Sequence, residues 1–404
     1  MDLMPILAAL KRQKTAAALI AIEIALCCAI VCNALFLIAN RLERSATTSG
    51  VAEMELVRVA TAGTGDEDAT ARLRADLAAI RDISGVVSAS LTNQVPFGNS
   101  SWNTSVRLAH DDQNSIAEVG AYYGDEQLLK TLGVRLIAGR EFNADEFVDF
   151  DSLLGGDAKE PNVAIITKTL ARTLYGDADP LGREFFPSDT PVRVIGVVDR
   201  LIRPRLGEDA TYTESSMILP IRMGGGYGFF LLRTLPQDRA AVIEAVRAKL
   251  KEISPNRIVF KTDTVEELRN KYFKQDRVMA GLLVAVVVSL LVVTALGIVG
   301  LASFWVQRRR RQIGIRRALG ATRGQILRYF QTENFLIVTL GIVLGMASAY
   351  AISAWLMQHY EMPRLPLIYL PVGAVALWLL GQIAVLAPAL RAASVPPATA
   401  TRSG

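Results

Sequence analysis

The residues able to do covalent or metal chemistry are few in this 404-residue sequence, and they are scattered. Its two histidines, His110 and His359, stand alone, with no H-E-x-x-H around either. No G-x-S-x-G supplies a nucleophile elbow. No G-x-x-x-x-G-K-[ST] supplies a phosphate-cradling loop, and the glycines at 224–226 lack the strand–turn–helix setting of one. The three cysteines, Cys27, Cys28 and Cys32, share one apolar run, where a free thiol ordinarily packs as a small hydrophobe. The chain is therefore expected to be non-catalytic, with no metal and no directly bound cofactor. Glu23 is the one charge in that apolar run. At membrane depth a carboxylate is costly, and a structural hydrogen bond is the expected role; a proton relay lacks a second intramembrane acid or base.

A binding element is better supported than a reaction centre. Residues 307–331 read QRRRRQIGIRRALGATRGQILRYFQ, with arginines at 308–311, 316, 317, 323 and 328 and no acid. A short helix around Ile313–Leu319 should stop at Gly320. Thr322 should cap the next helix, whose Ile326, Leu327 and Phe330 share a face. Arginines alone describe a solvated loop. The embedded Ile313, Ile315 and Leu319, and the tight helix–Gly–Ala–Thr–helix layout, describe a docking element.

The elements that must position this loop are membrane spans. Mean hydropathy is +0.30, high for a soluble chain. Residues 15–39, 278–306, 334–357 and 367–390 are each long and apolar enough to cross a core of about 30 Å. The first is too long for a signal-peptide h-region and no clear cleavage site follows it. Lys11, Arg12 and Lys14 before the first span, the arginine loop and Arg391 after the fourth place both termini in the cytoplasm and export the segment between the first two spans. Residues 41–275 carry 29 Lys and Arg against 34 Asp and Glu, net −5, whereas the remainder is net +10. Basicity thus marks topology, and no nucleic-acid partner follows from it. Leu3, Ile6, Leu7 and Leu10 suit a helix lying on the inner-leaflet lipid in residues 1–14. Gly341 and Gly345, continued by Ala349, favour close helix packing, with a second copy as one possible partner.

The exported residues, 40–275, form a mixed α/β domain with strand–helix–strand patterns at both ends. The turn-rich middle, about 141–222, reads as an inserted second lobe. Thr264 with Glu267 forms a capping box. One helix from Val265 to Val306 is expected, about 60 Å long, with a stalk portion at about 265–277. Residues 40–49 are expected to extend the first span similarly, to a stop at Gly50.

RRRQIGIRRALGATRGQILRYFQTE (309–333) closely resembles the cytoplasmic loop of MacB/FtsX-type permeases of ABC transporters, with Gln312 where the family commonly has Glu. VRLIAGREF (134–142), VAIITKTLARTLYGDADPLGREF (163–185), VRVIGVV (192–198) and PALRAASVPPATATR (388–402) extend the resemblance, the last departing from the usual ending. The resemblance implies an integral membrane protein of four transmembrane helices, one and then three. Its large α/β periplasmic domain would comprise a porter-like lobe and an inserted lobe. It implies stalk helices, a dimer with a second permease copy or paralogue, and a bacterial inner-membrane location. Ile313, Gly314, Ile315, Arg316, Arg317, Ala318, Leu319, Gly320, Ala321 and Thr322 would contact a cytoplasmic ABC ATPase carrying ATP and magnesium. MacB carries that ATPase fused at its N-terminus; with 14 residues before the first span, a separate ATPase chain is expected here. A periplasmic adaptor and an outer-membrane channel are further partners by resemblance. The competing expectations are lipoprotein release, control of cell-wall hydrolases, and a membrane-anchored sensor or exported enzyme without transport.

Overall fold

Apolar segments in a bilayer must satisfy their own backbone polar groups, which favours long helices wherever the sequence stays apolar. The computed structural model describes residues 14–62, 69–112, 114–156, 158–207, 210–224, 227–253, 258–360 and 366–394. The amphipathic segment expected in residues 1–14 lies outside these except for Lys14. The chain divides into two units, residues 47–274 and the remainder. Helix α1 (Lys14–Ser45) opens the second of these and ends before the residue-49 limit expected for it.

In the unit of residues 47–274, β1 (Leu56–Ala62), α2 (Ala69–Arg81) and β2 (Val86–Thr92) form a first β–α–β segment. The chain then passes through β3 (Asn103–Val106), β4 (Ala117–Tyr123), α3 (Leu128–Leu132), β5 (Leu136–Gly139), β6 (Val148–Asp149), α4 (Phe150–Gly155), β7 (Val163–Thr167), α5 (Lys168–Tyr175), β8 (Glu184–Phe185), β9 (Val192–Val198), α6 (Ala210–Glu214), β10 (Ser216–Leu219) and β11 (Ile221–Arg222). It returns as β12 (Phe229–Thr234), α7 (Arg239–Ile253) and β13 (Ile258–Thr264). The first and last segments share one antiparallel sheet in the order β13-β1-β12-β2, the order of a split β–α–β fold. Val57, Val59, Phe230 and Leu232 pack under Leu77 and Ile80 of α2 and Val242, Val246 and Leu250 of α7.

Everything between β2 and β12 is the insertion. Its sheet runs β3-β4-β10-β7-β9-β5, with β8 on β9. The inserted lobe is thus larger than the expected 141–222, because β3, β4 and β5 lie in the second sheet. Strand pattern alone does not say which sheet a strand joins. The crossover out of β2 is buried and binds along β4 through side chains. Asn93 donates to the Ala121 carbonyl at 2.9 Å and accepts from the Tyr123 amide at 2.9 Å, and Gln94 accepts from the Trp102 amide at 2.7 Å. Gly139 sits at φ +79°, opposite Gly196 of β9; a Cβ on it would stand 2.1 Å from the Ile195 carbonyl oxygen. Two conspicuous sequence segments, 134–142 and 192–198, meet at this pair.

After β13, Thr264 and Glu267 exchange backbone bonds of 3.0 and 2.9 Å and start α8 (Val265–Tyr272). The expected continuous helix is interrupted there. Phe273 leaves helical geometry at ψ 6°, buried against Phe97 with ring centroids 5.5 Å apart, and α9 (Lys274–Arg308) begins anew. Helical propensity runs through 273 without a breaker; an aromatic anchor in the core overrides it.

The remaining unit contains α1, α9, α10 (Arg310–Ala318), α11 (Arg323–Tyr360) and α12 (Tyr369–Ala393), of which α1, α9, α11 and α12 are long and apolar enough to span a membrane. Gly341 and Gly345 of α11 meet α1 of the same chain. A Cβ on Gly341 would stand 2.8 Å from the Ala21 oxygen, and one on Gly345 would stand 2.5 Å from Cys28 Cβ. Ala349 is fully buried one turn on. This small-residue stripe is therefore filled within the chain and is not free for a second copy. Cys32 lies against Gly373, and Asn334 donates to the Gly381 carbonyl at 2.9 Å, joining α12 to α1 and α11. Arg41 and Asp276 form an ion pair between α1 and the start of α9. Gly345→Val should overpack the α1–α11 seam by about 1–3 kcal/mol. We expect a lower thermal midpoint in detergent, while Gly300→Val, with no atom within 4 Å of its Cβ, leaves the midpoint nearly unchanged.

Candidate docking site

Helix α9 turns into α10 at Arg309, and the turn is pinned from the side. The Arg309 guanidinium reaches Glu333 of α11 at 2.8 and 3.0 Å, with the Glu333 side chain 2% exposed. Sequence reading missed this pair: Glu333 lies outside the acid-free stretch, and a separation of 24 positions leaves no local periodicity to signal it. Beside it, Ile313 packs with Val306, Ile326, Phe330, Ala389, Ala392 and Ala393. Gly314 is buried next to Ile313. The end of α12 thus forms the bed for α10, a role only hinted at by the resemblance of residues 388–402.

The expected coupling residues divide by face. Ile313 and Gly314 point into the unit. Ile315, Arg316, Ala318 and Leu319 are exposed, Leu319 at 82% of its surface. Ile315 and Leu319 are four apart and form one apolar knob. Arg310 and Arg311 are exposed around it, and Arg316 also lies 5.0 Å over the Tyr329 ring. Arg317 and Ala321 are half-buried, and Gly320 and Thr322 build the turn.

The turn is closed at both ends. The Ala321 amide donates to Arg316 at 3.0 Å and the Gly320 amide to Arg317 at 3.1 Å, with Gly320 at φ +96°. That is the two-bond Schellman cap, which needs a left-handed residue at the glycine. Thr322 and Gln325 then satisfy one another's backbone amides, at 2.9 and 3.3 Å, and start α11. The arrangement fixes the exposed Ile315 and Leu319 on a short helix that also exposes Arg311 and Arg316. Chemically it is a surface for an apolar groove with an acidic rim.

Among the described residues no group of three or more His, Cys, Asp or Glu could hold a metal ion. Glu333→Gln would leave the Arg309 charge, 11% exposed, without its counter-ion. The expected cost is about 3 kcal/mol, read as a lower thermal midpoint of the full chain.

Two family comparisons cover this architecture. Residues 15–253 match the MacB-like periplasmic core domain, and residues 284–397 match the FtsX-like permease C-terminal domain. The macrolide export ATP-binding/permease protein MacB of Chromobacterium violaceum is 28% identical over 302 residues, covering 72% of this chain and 44% of that protein. The uncharacterized ABC transporter permease YknZ of Bacillus subtilis is 25% identical over 310 residues, covering 75% of this chain and 74% of its own length. The chain therefore spans less than half of the first relative. Among solved structures, the periplasmic region of MacB from Actinobacillus actinomycetemcomitans aligns with 55% of this chain at a TM-score of 0.35 and 14% identity. With the periplasmic core domain matching more than half of its residues and the permease domain following in order, this chain belongs to the MacB/FtsX-type family of ABC transporter permeases.

Proposed function

We propose that this permease couples ATP hydrolysis by a cytoplasmic ABC ATPase to motion of its periplasmic domain, and so exports a substrate taken up on the periplasmic side. In this reading the protein lies in a bacterial inner membrane, with both termini and α10 in the cytoplasm. It works as a dimer with a second permease copy or a paralogue, and an adaptor and outer-membrane channel complete the route outward. The observation that carries the reading is the exposed Ile315–Leu319 knob. An 82% exposed leucine on a helix fixed at both ends is poorly suited to solvent and well suited to a partner's groove.

The arginine surround supports the same side and the same partner. Lys and Arg concentrate on cytoplasmic loops, and guanidinium groups steer an acidic surface toward the knob. ATP and magnesium would be held by the ATPase, since the 404 residues contain no phosphate loop.

Leu319→Asp tests this directly. Its side chain lies outside the packed core, so insertion and thermal midpoint should stay as in the parent. Co-purification of an ABC ATPase under mild detergent, and transport-linked ATP hydrolysis, should be lost. Full retention of both by Leu319→Asp would overturn the assignment of α10. Topology has its own test, aided by the absence of cysteine from residues 41–275. Ser188→Cys should react with an impermeant maleimide from the periplasm, and Thr322→Cys only after the inner membrane is opened.

A further inference from the structure

Among the described residues, one intramembrane carboxylate has no partner. Besides Glu23, the acids in the four spanning helices are Glu43, Asp276 and Glu333. Asp276 pairs with Arg41 and Glu333 with Arg309. Glu43 is exposed, two residues from the end of α1. Glu23 lies nine residues inside the start of α1, about 14 Å along the axis. In a hydrocarbon core about 30 Å thick that is near the midplane. The hydrogen bond expected for it is not formed: among the described residues, Glu23 has neither a hydrogen-bond donor nor a cation beside it.

Its surroundings are those of a niche at the rim of a helix seam. Ile20, Ala21, Ile24, Cys27 and Cys28 form the buried face of α1, and Leu19, Ile22 and Leu26 its exposed face. Glu23 lies on the boundary, half-buried. Across from it is Gly297 of α9, where a Cβ would come within 2.7 Å of the carboxylate oxygen. The absent side chain is what makes room for the carboxyl. Val293 and Leu296 on α9 continue the apolar surface outward from this point. An acid here therefore opens onto the apolar side of the seam between α1 and α9.

We propose that Glu23 is a binding site for a hydrophobic monovalent ammonium ion, an amphiphilic amine entering the α1–α9 seam from the bilayer. The carboxylate supplies the counter-charge, and the apolar faces of α1 and α9 cover the hydrocarbon part. At this depth a desolvated ion pair gains far more than one in water. A charge left alone there is penalised, so a proton or a cation must accompany it. The depth excludes the amine of a lipid headgroup, which stays at the interface. Ammonium binding at Glu23 is independent of the ATPase-coupling assignment and is measured without ATP.

The full chain in lipid nanodiscs would be treated with dicyclohexylcarbodiimide, an apolar reagent that adds to a protonated carboxyl without a leaving group. Peptide mass mapping would locate the adduct. Labelling should fall on Glu23, with Glu333 unlabelled as the internal reference. Dodecylammonium, at about ten times its dissociation constant, should lower the Glu23 adduct about tenfold by mass action. Dodecanol, with the same tail and no charge, should leave it unchanged. Glu23→Gln should remove the adduct while the chain still inserts. No labelling of Glu23 would mean that the chain or a second copy covers the site, and would overturn the proposal. Equal protection by the amine and the alcohol, or protection by neither, would overturn it as well.

Discussion

The close approach of α1 and α11 is the constraint on which the membrane unit depends. Without a hydrophobic drive between helices in lipid, association rests on dispersion contacts and on backbone proximity, which small residues permit. Gly341 and Gly345 bring α11 onto the carbonyls of Ala21 and Ala25. Both contacts advance in the same direction along the two helices, so α1 and α11 run parallel, as odd-numbered spans must. An N-terminal helix and a helix more than 300 positions later are thereby locked together. Between them α9 runs antiparallel, Gly297 against Glu23 and Asp276 against Arg41, so the chain from α1 to α9 leaves and returns at the same end of the bundle. The Arg41–Asp276 pair marks that end, joining the last turns of α1 to the first of α9.

The periplasmic unit answers the same demand by different means. Its first and last segments interleave in one sheet, β1 lying between β13 and β12, so the lobe cannot close until both arms are present. That topology leaves the insertion tethered at two adjacent strand ends. The outgoing tether, after β2, is buried, and Asn93 and Gln94 supply there hydrogen bonds that a strand neighbour would otherwise give. A two-lobed domain without a disulfide is held in this way by sheet order and by a hydrogen-bonded crossover. In the proposed role, movement at one arm is passed to the other through β1.

Much of this was legible from residue types because the forces involved are local. Apolar length gave helices long enough to span, and Thr264–Glu267 and Gly320 gave helix ends that the structure has. What escaped was set by distant partners. Phe273 looks like any helical aromatic until Phe97 is brought beside it. Strands β3, β4 and β5 carry no mark of the sheet they join. Glu333 announces nothing until Arg309 folds back onto it. The glycine stripe at 341 and 345 correctly indicated a tight interface, but sequence cannot say whether the other side is a second copy or the chain's own first helix.

The position of α10 follows from the same distinction between local and distant forces. Its ends are local devices, a glycine cap on one side and the continuation of α9 on the other. Its inner face is distant, seated on Ala389, Ala392 and Ala393 at the end of α12. Alanines make a shallow bed, so the packing energy there is modest compared with a full leucine interface. The directional strength is in the Arg309–Glu333 pair, which fixes the α9 end of the turn to α11. A load applied at Leu319 would therefore be borne by α9 and α11 together, before the shallow contact with α12 is strained. In the proposed role, that division of stiffness makes α9 and α11 the members that would carry displacement away from Leu319.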